Sequence, residues 1–315
     1  MTSPHTTLAD LGEFGLIAAL AERFPQGDQV LLGPGDDAAV VVVPDRRVVI
    51  STDLLVESRH FRRDWAEAED IGHKVAAANL SDINAMGGRA TALTVGLAAP
   101  ADLPVAWALG LADGICAEAG LVGASVVGGD VTSADQVVVA VTVIGVVDGE
   151  PVRRSGARPG DVVAIAGRQG WAAGGLAVLG RGFRSPRKLV DAYRRPEPPY
   201  GAGAQAAAAG ATAMIDVSDG LLADVGHIAA ASGVAIDVQT TAFEIAEPLQ
   251  AVGAALGADP MRFILSGGDD HALAATFPEG TPLPEGWRAI GTVTPGEGVT
   301  VDGADYEGAR GWTHF

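Results

Sequence analysis

Hydrophobic positions first recur along Thr7–Phe24, where Leu8, Leu11, Ile17, Leu20 and Phe24 keep roughly the period of one amphipathic helix. Two β-branched runs follow, Ala39–Val43 and Val48–Ser51, separated by Pro44-Asp45-Arg46-Arg47; together they predict a hairpin. Glu67–Met86 predicts a helix stopped by Gly87-Gly88, and on it Asn79 and Asp82, three apart, share a face. Thr91–Ala98 predicts a strand, and Pro104–Ala119 a helix with Asp102 in its N-cap region. Val122–Val127 and Val137–Val147 predict strands flanking Gly128-Gly129-Asp130. This order suggests an α+β first half with a largely antiparallel or mixed sheet.

The composition shifts at Asp148-Gly149-Glu150-Pro151, which places a domain boundary between 1–149 and 150–315. The second part predicts an α/β unit. It runs through strand Asp161–Ala166, helix Trp171–Leu179, a helix begun by Ser185-Pro186, and the stiff connector Arg195-Pro196-Glu197-Pro198-Pro199. Helix Ala202–Ala209, strand Ala213–Asp216 and helix Leu221–Ala231 come next, and the tail reads as short strands and turns.

At 315 residues, 48% of them hydrophobic and 19% charged, with mean hydropathy +0.25, the chain has enough apolar material for two cores. A net charge of −18 argues against nucleic acid, whose phosphates it would repel. A chain this acidic needs metal ions as intermediaries to hold a polyphosphate. The single cysteine, Cys116, excludes an internal disulfide and a multi-cysteine zinc site. No basic start precedes an apolar core, and no apolar run nears ~20 residues, so a cytoplasmic protein without membrane contact is expected.

The acids then change the picture. Gly33-Pro34-Gly35-Asp36-Asp37, Ser51-Thr52-Asp53, Asp82, Gly128-Gly129-Asp130 and Asp216-Val217-Ser218-Asp219-Gly220 each set carboxylates or hydroxyls at the edge of apolar elements. Taken singly, each of these could be a turn or a helix cap; Ser218 or Asp219 could cap the helix that follows. Together they suggest one site of hard oxygen ligands of the kind magnesium prefers. Asp82, among Ala76, Ala77, Ala78, Leu80 and Ile83, carries a carboxylate that burial penalises unless it is neutralised. Walker-type phosphate loops, Gly-x-Ser-x-Gly elbows and Cys/His nucleophile pairs are absent. The residues alone thus point to metal-dependent phosphoryl transfer.

In order, Gly12-Glu13-Phe14, Gly35-Asp36-Asp37-Ala38-Ala39, Ser51-Thr52-Asp53, His60-Phe61, Asn79-Leu80-Ser81-Asp82-Ile83-Asn84-Ala85-Met86-Gly87, Gly128-Gly129-Asp130, Arg154-Ser155-Gly156-Ala157-Arg158-Pro159-Gly160-Asp161, Asp216-Val217-Ser218-Asp219-Gly220-Leu221 and Ser266-Gly267-Gly268-Asp269-Asp270 resemble the thiamine-monophosphate kinases over almost the whole chain. The resemblance implies a two-domain ATP-binding fold of class α/β (α+β). Its N-terminal mixed sheet would have helices on one side and join a second copy in a dimeric barrel, and its C-terminal domain would be α/β. It implies ATP and thiamine monophosphate as substrates, several Mg2+ ions per site and a homodimer. By position it implies magnesium ligands at Asp37, Ser51, Thr52, Asp53, Asp82, Asp130, Asp216 and Asp219. ATP contacts fall on Gly129, Asp130, Arg154 and Ser218, and substrate contacts on His60, Asp269 and Trp312. Asp130 and Arg154 would act on the reaction electrostatically, without a covalent nucleophile. The family commonly has Glu at Asp269, one methylene longer, and Tyr at His271.

The expected chemistry is in-line transfer of the ATP γ-phosphoryl group to thiamine monophosphate, giving the diphosphate. Two readings stay open beside it: an enzyme of the same superfamily with another acceptor, and a non-catalytic metal- or nucleotide-binding protein. Selenophosphate synthesis is disfavoured because it needs a reactive Cys or selenocysteine in an early glycine-rich segment, whereas Cys116 falls in a predicted helix.

Overall fold

A computed structural model describes residues 6–32, 39–43 and 47–313. The chain forms two compact units, one of residues 1–83 and 89–146, the other of 84–88 and 147–315. Among the described residues no helix is long and apolar enough to cross a membrane.

The first unit contains α1 (Leu8–Leu11), α2 (Glu13–Ala21), β1 (Val30–Leu32), β2 (Val40–Val41), β3 (Val49–Val56), α3 (Ala68–Ala85), β4 (Gly88–Ala99), α4 (Val105–Leu121), β5 (Ser125–Ser133) and β6 (Val138–Val147); the last two residues of α3, Asn84 and Ala85, with Gly88 of β4 and Val147 of β6, group with the second unit. The single N-terminal helix expected from periodicity is in fact two. Gly12 takes φ 74°, ending α1, which Thr7 and Asp10 open with a reciprocal capping box. The expected hairpin also does not form. β2 pairs with β1, while β3 pairs along its whole length with β6, in register from Val49↔Gly145 to Val56↔Val138. Adjacent β-branched runs announce strands, but not which strand each one pairs with.

β3, β6, β4 and β5 form one mixed sheet in that order, with β3/β6 antiparallel and β4/β5 parallel. Gly128-Gly129-Asp130 lies inside β5 and not between strands. Helix α4 opens at Pro104 with no side-chain cap, so Asp102 does not serve there. α3 and α4 cross at backbone distance. A Cβ on Gly72 would sit 2.2 Å from the Leu111 carbonyl oxygen, and one on Gly114 2.1 Å from that of Glu69. Beside the crossing His73 Nδ1 meets the buried Glu118 carboxylate at 2.8 Å.

The second unit contains β7 (Val162–Ala166), α5 (Trp171–Gly180), α6 (Arg187–Arg194), α7 (Ala202–Ala208), β8 (Ala213–Val217), α8 (Leu221–Ser232), β9 (Ala235–Val238), α9 (Glu247–Leu256), α10 (Met261–Ser266), β10 (Ala272–Phe277), β11 (Trp287–Thr294), β12 (Gly298–Val301) and β13 (Ala304–Asp305). Its sheet runs β13-β12-β9-β11-β7-β10-β8, antiparallel except for β12 beside β9. β10 is buried along its whole length, as a continuous apolar run requires. Ala202 and Ala206 of α7 pack on Met214, Leu273, Ala275 and Phe277, and Phe277 meets Trp287 edge-on at 5.5 Å. The tail holds two helices, α9 and α10, where only strands and turns are expected. Pro248 at the start of α9 and Gly257 at its left-handed end were its signals.

Because the α3–α4 crossing admits no Cβ at Gly114, Gly114→Val should destabilise the protein by roughly 1–3 kcal/mol. Thermal unfolding checks this; an unchanged midpoint would contradict the close packing.

Candidate active site

In the first unit, strand alternation turns Ser51, Asp53 and Leu55 of β3 to one face, and Ile50, Thr52 and Leu54 to the other. Helix α3 meets the first of these faces. The shared face of Asn79 and Asp82 lands on it: Ser51 Oγ donates to Asp82 Oδ2 at 2.5 Å, and the Asp53 amide N–H donates to Asn79 Oδ1 at 3.2 Å. Asn79 is fully buried, its own amide donating to the Val75 carbonyl, so its orientation is fixed. Thr52 lies on the other face, its hydroxyl 2.8 Å from that of Thr142. His60 follows β3 in a turn and accepts the Val56 N–H on Nδ1 at 2.9 Å.

Asp130 stands elsewhere in this unit. It lies on β5, where it pairs with Gly96 of β4, at the opposite edge of the sheet from β3. Three strand spacings put its backbone about 14 Å from that of Asp53. Asp130 is exposed, and its carboxylate accepts the Val131 N–H at 2.9 Å. Gly129 is required by the sheet itself, since a Cβ there would lie 2.0 Å from the Val95 carbonyl oxygen. Asp36 and Asp37 fall outside the described residues. Among the described residues, no three His, Cys, Asp or Glu side chains are grouped to hold a metal by themselves. Magnesium does not demand such a cage. It commonly takes one or two protein carboxylates and completes its shell with water and substrate phosphates. The hard oxygens of Ser51, Asp53 and Asp82 fit that use.

The second unit gathers its functional candidates at the end of β8. Asp216 is 4% exposed, with its carboxylate 3.3 Å from His271 Nδ1. After Val217 the chain turns through Ser218-Asp219-Gly220 into α8. The N-cap of α8 is Gly220, without a side-chain cap, so neither Ser218 nor Asp219 caps it. Asp224 does this work from inside the first turn: its Oδ2 accepts the N–H of Asp219 at 3.1 Å and of Gly220 at 3.0 Å. Burial, followed by the negative charges of Asp216 and Asp219, pushes the Asp224 carboxyl up to about 7, although those two N–H groups pull it down.

Two further segments close on the same turn. The N–H of Asp269 donates to the Ser218 carbonyl at 2.8 Å, and that of Trp312 to the Asp219 carbonyl at 2.9 Å. Gly268 and Gly311 make these approaches possible; a Cβ would lie 2.2 Å from the Ser218 oxygen in the first case and 2.8 Å from the Asp219 oxygen in the second. Trp312 keeps its ring 58% exposed beside the turn. Next to Asp269, Asp270 is buried, and its Oδ1 accepts the Ala172 N–H at 2.9 Å. Burial pushes its carboxyl up to about 7, against the pull of the Ala172 and Gly170 N–H groups and of Arg168. Arg154 is not part of this cluster. Its carbonyl accepts from Ser232 Oγ at 3.2 Å, at the far end of α8, a helix about 18 Å long. Arg153 and Ser155 on either side of it line a cavity of about 650 Å³ floored by Ala204, Ala207 and Ala208.

The geometry therefore forms two groups, Ser51–Asp53–Asp82 in one unit and Asp216–Ser218–Asp219–Asp269–Trp312 in the other. Asp224 and Asp270 hold the second group; sequence reasoning missed Asp224 and quoted Asp270 in its motif without giving it a role, because an acid that binds backbone N–H groups leaves no spacing signal.

Residues 35–147 match the family model of the AIR synthase related protein, N-terminal domain, and 158–303 that of the C-terminal domain. The thiamine-monophosphate kinase of Mycobacterium tuberculosis is 52% identical over 318 residues, spanning 100% of this chain and 95% of that one. The chain belongs to the thiamine-monophosphate kinase family. A crystal structure of a family member from Stenotrophomonas maltophilia K279a superposes with a TM-score of 0.82 at 34% identity, covering 92% of this chain and 96% of that one. AaThiL complexed with AMPPCP and TMP superposes with a TM-score of 0.79 at 31% identity, covering 99% and 100%. The mixed α/β architecture is thus that of the thiamine-monophosphate kinases.

Asp270 holds its proton in the folded chain up to about pH 7, whereas the unfolded chain releases it near 3.8. Its ionisation therefore lowers stability as pH rises between those values, by at most roughly 1.4 kcal/mol per pH unit. Asp270→Asn, which cannot ionise, should lose less stability than the parent between pH 5 and pH 8 in urea unfolding. Parallel pH profiles for the two proteins would contradict the burial argument.

Proposed function

We propose that this protein transfers the γ-phosphoryl group of ATP to the phosphate of thiamine monophosphate, giving thiamine diphosphate and ADP. One observation carries the reading. Asp269 and Trp312, the candidates for holding substrate, are hydrogen-bonded through their backbones to Ser218 and Asp219, the candidates for ATP and metal. A phosphate acceptor is already ionised near neutral pH, so no general base is needed. An acceptor oxygen forms a new bond to the γ-phosphorus as the bond from that phosphorus to the β,γ-bridging oxygen breaks.

The obstacle is repulsion between two anions. Asp53 and Asp82, with the Ser51 hydroxyl, would hold magnesium in the first unit, and Asp216 with Asp219 in the second; Asp37, Thr52 and Asp130 complete the proposed ligand set. Bound there, magnesium supplies charge neutralisation between the phosphates. Gly129, Asp130, Arg154 and Ser218 are assigned to ATP; the Arg154 backbone lies at the far end of α8 from Ser218, so its charge would meet a part of the nucleotide away from Ser218. The Trp312 ring offers a flat face to the cationic thiazolium, and His60 and Asp269 are assigned to the same substrate. We place the reaction in the cytoplasm. A homodimer would cover the open face of β3, where Ile50 is 63% and Leu54 52% exposed.

Asp82→Asn keeps the shape of the Ser51 contact and removes its charge. With product mass read directly, it should lower turnover of thiamine monophosphate by ~10²-fold or more while leaving the unfolding midpoint nearly unchanged. Parent-like turnover would defeat the metal assignment. For the dimer, Ile50→Glu should shift the sedimenting species from two chains to one; a parent protein that sediments as a monomer would dismiss it.

A further inference from the structure

The segment Gly267–His271 between α10 and β10 carries Asp269, and it is held in an unfavourable shape. Asp269 and His271, neither a glycine, take left-handed backbones with φ 66° and 51°. Such a turn persists only when its surroundings over-determine it. On one side it is tied to β8 and the turn after it, by the N–H of Asp269 on the Ser218 carbonyl and that of His271 on the Val217 carbonyl at 3.1 Å. On the other side the tie is Asp270. Its side chain is buried, and Oδ1 takes the Ala172 N–H in the first turn of α5.

The N-cap position of α5 is Gly170, which has no side chain to offer, so Asp270 satisfies the helix end from outside the helix. A cap alone does not call for a buried acid, because serine or asparagine performs it without a charge to bury. Asp270 is only 6% exposed, and its second oxygen, Oδ2, is buried with no hydrogen-bond partner among the described residues. What its position adds is leverage. The residue whose backbone it fixes is flanked by the two left-handed residues, and one of them is Asp269.

We propose that Asp270 is a positioning residue for thiamine monophosphate: by anchoring the Gly267–His271 turn to the start of α5, it sets where the Asp269 carboxylate stands over the Ser218–Asp219 turn. The inference rests on the assignment of Asp269 to the substrate. Asp270 touches neither substrate in this account, and the Ser218–Asp219 turn keeps a separate tie through Asp224. Losing the anchor should therefore weaken thiamine monophosphate far more than ATP.

Steady-state kinetics of the full chain test this, with Asp270→Ala, Asp270→Asn and Asp269→Ala measured side by side. Asp270→Ala should raise KM for thiamine monophosphate by ~10-fold or more and leave KM for ATP within about twofold. Asp270→Asn keeps an acceptor for the Ala172 N–H and should return KM to near the parent value. A folded Asp270→Ala protein with unchanged KM for thiamine monophosphate, or with both KM values raised alike, overturns the proposal. If Asp270→Ala does not fold, Asp270→Leu, which keeps the bulk of the side chain and offers no acceptor, decides by the same criterion. Should Asp269→Ala leave KM unchanged, the substrate assignment of Asp269 is what fails, and the proposal falls with it; a rise there with none in the Asp270 variants rejects the positioning role alone.

Discussion

Mutual repulsion among carboxylates is the constraint around which the second unit is built. Asp216, Asp219, Asp224, Asp269 and Asp270 are brought to one end of β8, in a chain with a net charge of −18. Backbone hydrogen bonds assemble them. Asp224 and Asp270 each turn one carboxylate oxygen to main-chain N–H groups, and Asp219 and Asp269 are held by their own backbones. Burial pushes these two acids toward neutrality while their backbone hydrogen bonds pull the other way. They hold the scaffold on which Asp216, Asp219 and Asp269 stand.

The first unit meets the same constraint with fewer groups. Asp82 comes off α3 onto β3, where the Ser51 hydroxyl answers it, while buried Asn79 locks the helix to the Asp53 backbone. The rest of the unit serves that contact. The Gly72–Gly114 crossing seats α3, and the β3–β6 ladder fixes which residues of β3 face it.

This contact was legible in the sequence as far as α3 goes, because a three-residue spacing on a helix defines a face whatever the partner. Its partner strand was not. Ala39–Val43 and Val48–Ser51 suggested a local hairpin, yet β3 pairs with β6 about ninety residues later, a choice made by burial of a whole sheet. Gly128-Gly129 suggested a break between two strands, but Gly129 answers the Val95 carbonyl inside one. Ser218 and Asp219 suggested a helix cap because capping residues are recognised by type, whereas the group that acts is Asp224, four residues into α8 by number. Family resemblance carried Asp269 and Trp312 to the site; only coordinates connect them to Ser218 and Asp219. They also separate Arg154 from that group by the length of α8.

On the proposed assignment, Asp53, Asp82, Asp216 and Asp219 hold magnesium between the chain and the phosphates, so the binding of nucleotide should itself depend on divalent metal. Equilibrium dialysis of a non-hydrolysable ATP analogue against the full chain, with magnesium and then with a chelator, measures that dependence with no contribution from turnover. An affinity at least ~100-fold higher with magnesium is expected. Equal affinity in both conditions would mean that these acids serve something other than metal-bridged phosphate.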